Sequence, residues 1–156
     1  MAMAYESRGK YFEDFNVGDI IETAGRTVRE ADIVLFAGLS GDYNPLHTNA
    51  EWAKNSPFGV CIAHGILTLA ITSGLIVQSR IFEGTSLGLL GTTEKYTAPV
   101  RPGDTIHVEI EVMSKKESAK GGKGIIEFKC RTINQDGIVV LEHTETTLLK
   151  MKGERV

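Results

Sequence analysis

The sequence predicts an α+β protein in which an antiparallel β-sheet wraps around one long, buried α-helix. The helix is indicated by Gly65 to Arg80, which is apolar nearly all round apart from small hydroxyl side chains. A helix without a polar face is typical of a protein interior. The sheet is indicated by the second half of the chain, where apolar and polar residues alternate with a period of two.

The first half of the chain predicts a strand followed by a short helix. Ile20 to Val28 has strand character, and Gly25 marks a possible bulge or bend within it. Thr27 and Glu30 then fit a capping box, which predicts a helix from about Arg29 to Leu39.

A turn and a second short helix precede the long helix. Gly41 to Pro45 breaks regular structure, because Gly, Asn and Pro favour turns. Thr48 or Asn49 is placed to cap a short helix over Ala50 to Lys54. The long helix would then span about 24 Å, enough to cross a small domain.

The remaining residues predict five strands joined by turns. Asp136-Gly137 is a hairpin signal, and Ser118 to Gly124 forms another hairpin loop. The predicted strands are Ser86 to Leu90, Thr92 to Val100, Asp104 to Ser114, Gly124 to Asn134 and Ile138 to Lys150.

Length and charge exclude several classes of protein. The 156 residues predict one domain, 1–156, large enough to bury about 70% of its unfolded surface. The net charge of −3 argues against a nucleic-acid partner. No leader is expected in Met1 to Lys10, and no apolar stretch is long enough to span a membrane. Cys61 and Cys130 are expected to be reduced thiols and small hydrophobes, in a cytoplasmic protein.

The chemistry-bearing segment is the turn that contains Asp42, Asn44 and His47. Pro45 stiffens this turn, so the carboxylate and the imidazole can converge on one point. Such a pair can exchange protons with a bound water, and Asn44 can orient either partner. The same residues also suit an ordinary Asx turn, and residue types alone leave both interpretations open.

A second feature is Gly65, at the predicted start of the long helix. The unpaired N–H groups of a helix start can polarise a carbonyl, and Gly65 allows close approach of a ligand oxygen. His64 is interpreted as a packed histidine, and His107 and His143 as strand residues. No phosphate-binding motif is present, and the spacing of Asp42 and the histidines matches no metal pattern.

These residues resemble a known family, the MaoC-like (R)-specific enoyl-CoA hydratases. The signature is Phe36 to His47, with its Gly-Asp-x-Asn-Pro-aliphatic-His ending, and Ala53 six positions on. Ala63-His64-Gly65-Ile66-Leu67 is similar to the family's helix start, and Tyr96 to Asp104 to its strand and turn. The resemblance extends over about residues 12 to 150.

The resemblance implies a hot-dog fold with an overhang over about residues 31–58 and a central helix over 65–80. It implies a homodimer that hydrates trans-2-enoyl-CoA to (R)-3-hydroxyacyl-CoA, or the reverse, without cofactor or metal. Asp42 would be the base that activates water and His47 its partner, supported by Asn44. The Gly65 N–H would polarise the thioester carbonyl, and Ser73 would help to orient the site.

Other assignments stay open at this point. Two alternative functions are a hot-dog acyl-CoA thioesterase and a non-catalytic acyl-thioester binding module. Candidates for the acyl pocket are Trp52, Phe58 and Leu69. Candidates to meet CoA phosphates are Lys95, Arg101, Lys115 and Lys116.

Overall fold

The computed structural model describes residues 7–119 and 121–153. Residues 1–6, part of the segment in which no leader is expected, lie outside this description. A 3₁₀ turn, Phe12–Asp14, precedes the first strand. The helices are α1 (Glu30–Ser40), α2 (Pro45–Thr48), α3 (Ala50–Ala53) and α4 (Gly65–Gln78). The strands are β1 (Ile20–Glu22), β2 (Arg26–Thr27), β3 (Ser86–Tyr96), β4 (Thr105–Glu117), β5 (Lys123–Asn134) and β6 (Val139–Lys150).

The strands form a six-stranded antiparallel sheet in the order β1-β4-β5-β6-β3, with β2 also paired to β4. The predicted period of two is visible in β4, where Ile106, Val108, Ile110 and Val112 all face the core. The inward side chains of β5 and β6 join the same core, which confirms the α+β prediction.

The central helix packs its buried side on this sheet. Leu67, Ile71 and Leu75 belong to the same core as the sheet residues. The helix ends at Gln78, two residues before the predicted end, and Arg80 then has a left-handed φ of 63°. The opposite side of α4 is exposed in the isolated chain. Because the helix is apolar nearly all round, both of its faces are buried only when a partner covers the exposed one. The exposed positions of α4 are Ile66, Ala70, Ser73, Val77 and Gln78.

The capping prediction for α1 is wrong in its residues, although the helix itself is confirmed. Arg29 is the N-cap, and its N–H donates to the Asp32 carboxylate at 2.7 Å. Thr27 is held in β2 instead, where its hydroxyl bonds Thr105 at 2.8 Å. The pairing of β2 with β4 therefore takes Thr27 away from the helix end.

Three further boundaries differ from the sequence prediction. The predicted first strand is two short strands, β1 and β2, with Gly25 between them. The short helix α2 follows Asn44 directly and was not predicted. Ser86 to Tyr96 is one strand with two register shifts, because Gly88 and Gly91 fall within it.

Both cysteines are free thiols, as predicted. Cys130 is fully buried, and burial raises the pKa of its thiol, with a further contribution from the charge of Glu145. Cys61 is only partly buried. Among the residues that the structure describes, no helix is long and apolar enough to cross a membrane.

Candidate active site

The Asp42 turn is held by hydrogen bonds from its backbone N–H groups to its own side chains. Gly41 ends α1 in the left-handed conformation, with φ 77°. The Asn44 N–H then donates to Asp42 Oδ1 at 3.2 Å. Asn44 in turn caps α2, since its Oδ1 accepts from the Leu46 N–H at 3.0 Å. Asn44 therefore connects the carboxylate to the helical turn that carries His47.

His47 has a defined orientation and a defined tautomer. Its Nδ1 lies 2.8 Å from the carbonyl oxygen of Ile62. Because a carbonyl oxygen can only accept, Nδ1 carries the hydrogen and Nε2 keeps its lone pair. In the neutral imidazole, Nε2 is therefore the ring nitrogen that can accept a hydrogen bond.

His64 contributes more than the packed histidine that the sequence predicts. Its Nε2–H donates to the backbone carbonyl of Asp42 at 2.9 Å. Its ring stacks on the ring of His47, with centroids 3.8 Å apart and planes at 29°, and also lies against Phe36. His64 is 3% exposed, and its Nδ1 has no hydrogen-bond partner among the described residues. One side chain thus touches both Asp42 and His47.

The contacts of His64 with Asp42 and His47 were not predicted, because they depend on spatial proximity between segments that are distant in the chain. His64 is 22 residues from Asp42 in the chain. The available signal was its position directly before Gly65 at a helix start, which brings it to the end of α4 that faces the turn.

Gly65 is the first residue of α4, where an N–H has no partner within the helix. A Cβ built at this position would lie 3.0 Å from the ring of Tyr96, closer than side chains normally approach. Gly65 and His47 line the same cavity, so the predicted carbonyl-polarising group and the predicted proton-transfer group meet there.

The cavity has a volume of about 400 Å³ and mostly apolar walls. Burial raises the pKa of the Tyr96 phenol, and the charge of Glu94 adds to this, so the phenol stays protonated at neutral pH. The cavity residues are Leu46, His47, Phe58, Ile62, Ala63, Gly65, Thr68, Tyr96, Thr97, Ala98, Pro99, Val100 and Val140.

The structure does not bring Ser73 to this cavity. Ser73 lies two turns along α4 and lines a separate cavity with Glu145 and Thr147. Gly65 and Ser73 do not share one face of the helix, because eight residues of an α-helix turn the side-chain direction by about 80° beyond two whole turns. Ser73 therefore has no contact with the Asp42 and His47 pair.

Some of the residues predicted to line the acyl pocket or to meet CoA phosphates lie at the cavity, and others lie away from it. Phe58 lines the cavity, whereas Trp52 and Leu69 do not. Lys115 belongs to the opposite end of the sheet, where its ammonium donates to the carbonyls of Phe12 and Phe15. Lys116 neighbours it there. Arg101, which is exposed, directly follows the cavity residue Val100, and Lys95 directly precedes the cavity residue Tyr96.

Asp42, His47 and His64 bring ligand-type atoms within 4.8 Å of one another. The two imidazoles are stacked, however, with their planes 29° apart, so their lone pairs lie in two nearly parallel planes. Each ring also uses one nitrogen on a backbone carbonyl. The arrangement suits proton transfer better than tetrahedral metal binding.

Comparison with known proteins places this chain in a family. Residues 14–132 match the model of the MaoC like domain. An (R)-specific enoyl-CoA hydratase from Rhodospirillum rubrum is 34% identical over 92% of this chain and 94% of its own length. The crystal structure of the MaoC-like dehydratase from Rhodospirillum rubrum superposes with a TM-score of 0.82, at 33% identity, over 94% of this chain and 100% of that chain.

A more distant structure shows the fold by name. A conserved hypothetical protein from Mycobacterium tuberculosis, described as a double hot-dog fold, superposes with a TM-score of 0.80. The identity is 18%, and the match covers 95% of this chain and 46% of that chain. Its sheet and helix arrangement, shared here, is the hot-dog fold that the resemblance implied. The chain therefore belongs to the MaoC-like dehydratase family, has the hot-dog fold and is a hydro-lyase of the hydratase and dehydratase class.

Proposed function

We propose that the chain catalyses (R)-specific hydration of trans-2-enoyl-CoA to (R)-3-hydroxyacyl-CoA, or the reverse dehydration. This proposal rests on the proximity of three groups, which are the Asp42 carboxylate, the His47 imidazole and the Gly65 N–H. The Asp42 carboxylate lies beside the His47 ring, and His47 shares a cavity with the start of α4 at Gly65. Hydration needs a base for water, a proton for the α carbon and a donor for the thioester oxygen.

In the proposed reaction a water lies between Asp42 and the Nε2 of His47. Asp42 takes a proton from the water as its oxygen bonds to the β carbon, and the π electrons move toward the thioester carbonyl. The Gly65 N–H stabilises the resulting enolate, a contribution of about 3 kcal/mol for one such donor. The Asp42 and His47 pair returns one proton to the α carbon. One water is consumed, and no cofactor or metal is required.

The test is a panel of trans-2-enoyl-CoAs of increasing chain length, in which loss of the conjugated double bond is followed and the product is resolved on a chiral column. Formation of (R)-3-hydroxyacyl-CoA is the expected result. Release of free CoA would instead indicate a thioesterase. Binding of acyl-CoA without any turnover would indicate a non-catalytic module. Either result contradicts the proposal.

We also propose that the protein acts as a homodimer in the cytoplasm. The support is a large apolar surface on the isolated chain, which includes Ile66 and Val77 of α4 and Leu89 and Leu90 of β3, each more than half exposed. Exposed apolar surface of this kind favours association. Light scattering at several concentrations should give twice the mass of one chain, and a monomer at all concentrations would contradict this proposal.

A substitution at Gly65 should reduce activity without loss of folding. In Gly65→Ala the new methyl group meets the Tyr96 ring at 3.0 Å and crowds the helix start. We expect kcat/KM for crotonyl-CoA to fall by roughly 10- to 100-fold. Gly74→Ala, on the same helix, is the matched control, because a Cβ there meets no neighbouring side chain or strand within 4 Å. Equal rates for the two variants would contradict the role of Gly65.

Two substitutions of His64 separate its hydrogen bond from its ring stacking. His64→Gln retains an N–H that can reach the Asp42 carbonyl, whereas His64→Phe retains a ring against His47 but no donor. We expect kcat to fall about tenfold or more in each, with KM changed less, because His64 positions the pair and does not reach the cavity. A rise in KM alone in both variants would assign His64 to substrate binding.

A further inference from the structure

The active-site cavity contains a side-chain donor that no other residue engages. Its polar side chains are those of His47, Thr68, Tyr96 and Thr97. The Nδ1–H of His47 and the hydroxyls of Thr68 and Thr97 each donate to a backbone carbonyl oxygen. The phenol O–H of Tyr96 has no hydrogen-bond partner in the part of the chain that the structure describes. This O–H is therefore the side-chain donor of the cavity that is left for a ligand.

The sheet holds the Tyr96 ring beside the start of the central helix. Tyr96 is the last residue of β3 and pairs with Leu141 of β6. The next N–H along the chain, that of Thr97, donates to the carbonyl of Val140 at 3.0 Å. The Cδ1, Cε1 and Cζ atoms of Tyr96 lie 3.0–3.2 Å from the Cβ position built at Gly65. Because the hydroxyl is bonded to Cζ, it lies on the same side of the cavity as the helix start.

The Tyr96 hydroxyl is a donor at neutral pH and is accessible to a substrate. Burial, with a smaller contribution from the charge of Glu94, raises the pKa of the phenol, so it keeps its hydrogen. The carboxylate of Glu94 does not accept that hydrogen, since it accepts from the hydroxyl of Thr92 instead. Tyr96 is 44% exposed, so a ligand in the cavity can reach it.

The proposed reaction requires more donors than the Gly65 N–H supplies. A carbonyl oxygen has two lone pairs, and one backbone N–H engages one of them. Negative charge grows on the thioester oxygen as the enolate forms, and fixed donors stabilise such charge most in a cavity that excludes water. The walls of this cavity are mostly apolar, so a lone pair without a donor would gain little from its surroundings.

We propose that Tyr96 is a further catalytic residue, whose phenol O–H donates the second hydrogen bond to the thioester carbonyl oxygen, beside the Gly65 N–H. This inference rests on the proposed hydratase function. The hydrogen bond becomes stronger as the enolate forms, and the hydrogen stays on the phenol oxygen throughout. Tyr96 thus stabilises charge, whereas Asp42 and His47 transfer the protons.

The first test is the rate of hydration of crotonyl-CoA by Tyr96→Phe, which keeps the ring against Gly65 and removes only the O–H. We expect kcat to fall by roughly 10- to 100-fold, with KM changed less, because the lost hydrogen bond is strongest in the transition state. Tyr11→Phe is the matched control. Tyr11 directly precedes the 3₁₀ turn Phe12–Asp14 and does not line the cavity, so its variant should keep the wild-type kcat.

The second test measures polarisation of the substrate directly, by infrared spectroscopy of crotonyl-CoA labelled with ¹³C at the thioester carbonyl. The label is bound to Asp42→Asn, in which turnover is expected to stop. Its carbonyl stretch should lie at lower frequency than in free crotonyl-CoA. Addition of Tyr96→Phe should move the stretch back toward the free value, whereas addition of Tyr11→Phe should leave it unchanged.

These measurements separate the role of Tyr96 from the hydratase function itself. A wild-type kcat in Tyr96→Phe overturns the proposal, and so does a lower kcat with an unchanged carbonyl frequency, which assigns the hydroxyl a structural role. If the wild-type protein binds crotonyl-CoA but hydrates no enoyl-CoA, the hydratase proposal fails. The frequencies in the wild type and Tyr96→Phe then decide the donor role, and equal frequencies overturn it. A protein that binds no crotonyl-CoA overturns both proposals.

Discussion

Asp42→Asn is expected to abolish hydration of enoyl-CoA while the protein remains folded. The amide cannot accept the proton from water, and a positioned general base typically contributes 10²- to 10⁴-fold, so we expect a fall of roughly a thousandfold in kcat. Folding should be unaffected because Asp42 is exposed and its backbone carbonyl, which binds His64, is retained. The measurement is the initial rate of loss of the conjugated double bond, with a thermal melt beside it.

Glu51→Gln is the matched control for this variant. Glu51 is also an exposed carboxylate, in α3, and its ion pair is with Lys54 at the C-terminal end of that helix. We expect wild-type kcat, since exposed pairs of this kind contribute little. Full turnover by Asp42→Asn would exclude Asp42 as the base, even if the family assignment stands.

His47→Ala is expected to reduce kcat by a similar factor, roughly 10²- to 10⁴-fold. This change removes the Nε2 lone pair that would hold the water, and also the ring on which His64 stacks. The product that still forms should be tested for stereochemistry, because loss of the water-binding partner should reduce the preference for the (R) alcohol.

The control for His47 is His107→Ala, a histidine of β4 that lies beside Glu22 and lines none of the site. The Asp42→Asn/His47→Ala double variant should be little slower than the slower single variant, because two groups that act as one unit are not additive. A wild-type rate in folded His47→Ala, or fully additive losses in the double variant, would contradict a shared water.

Much of the fold follows from local patterns in the sequence. The alternation of Ile106, Val108, Ile110 and Val112 predicts β4 directly, because side chains of a strand alternate between its faces. The apolar run after Gly65 predicts α4 in the same way. Boundaries were less accurate where pairing competes with local preference, as at Thr27, which β2 retains through its bond to Thr105.

By itself, the sequence determined which candidate site residues lie together within a single turn. Asp42, Asn44 and His47 are close in the chain, and Pro45 limits the conformations between them, so their convergence follows from local geometry. Gly65 was likewise identifiable from its place at a helix start.

Only the tertiary structure decided which distant groups join or leave that site. His64 reaches Asp42 and His47 because α4 begins against the turn, whereas Ser73 is carried to another cavity by the rotation of the same helix. The burial of His143 and Glu145 also depends on which face of β6 meets α4. These contacts are set by long-range packing. A local sequence pattern does not give the distance between two segments that come together only when the chain folds.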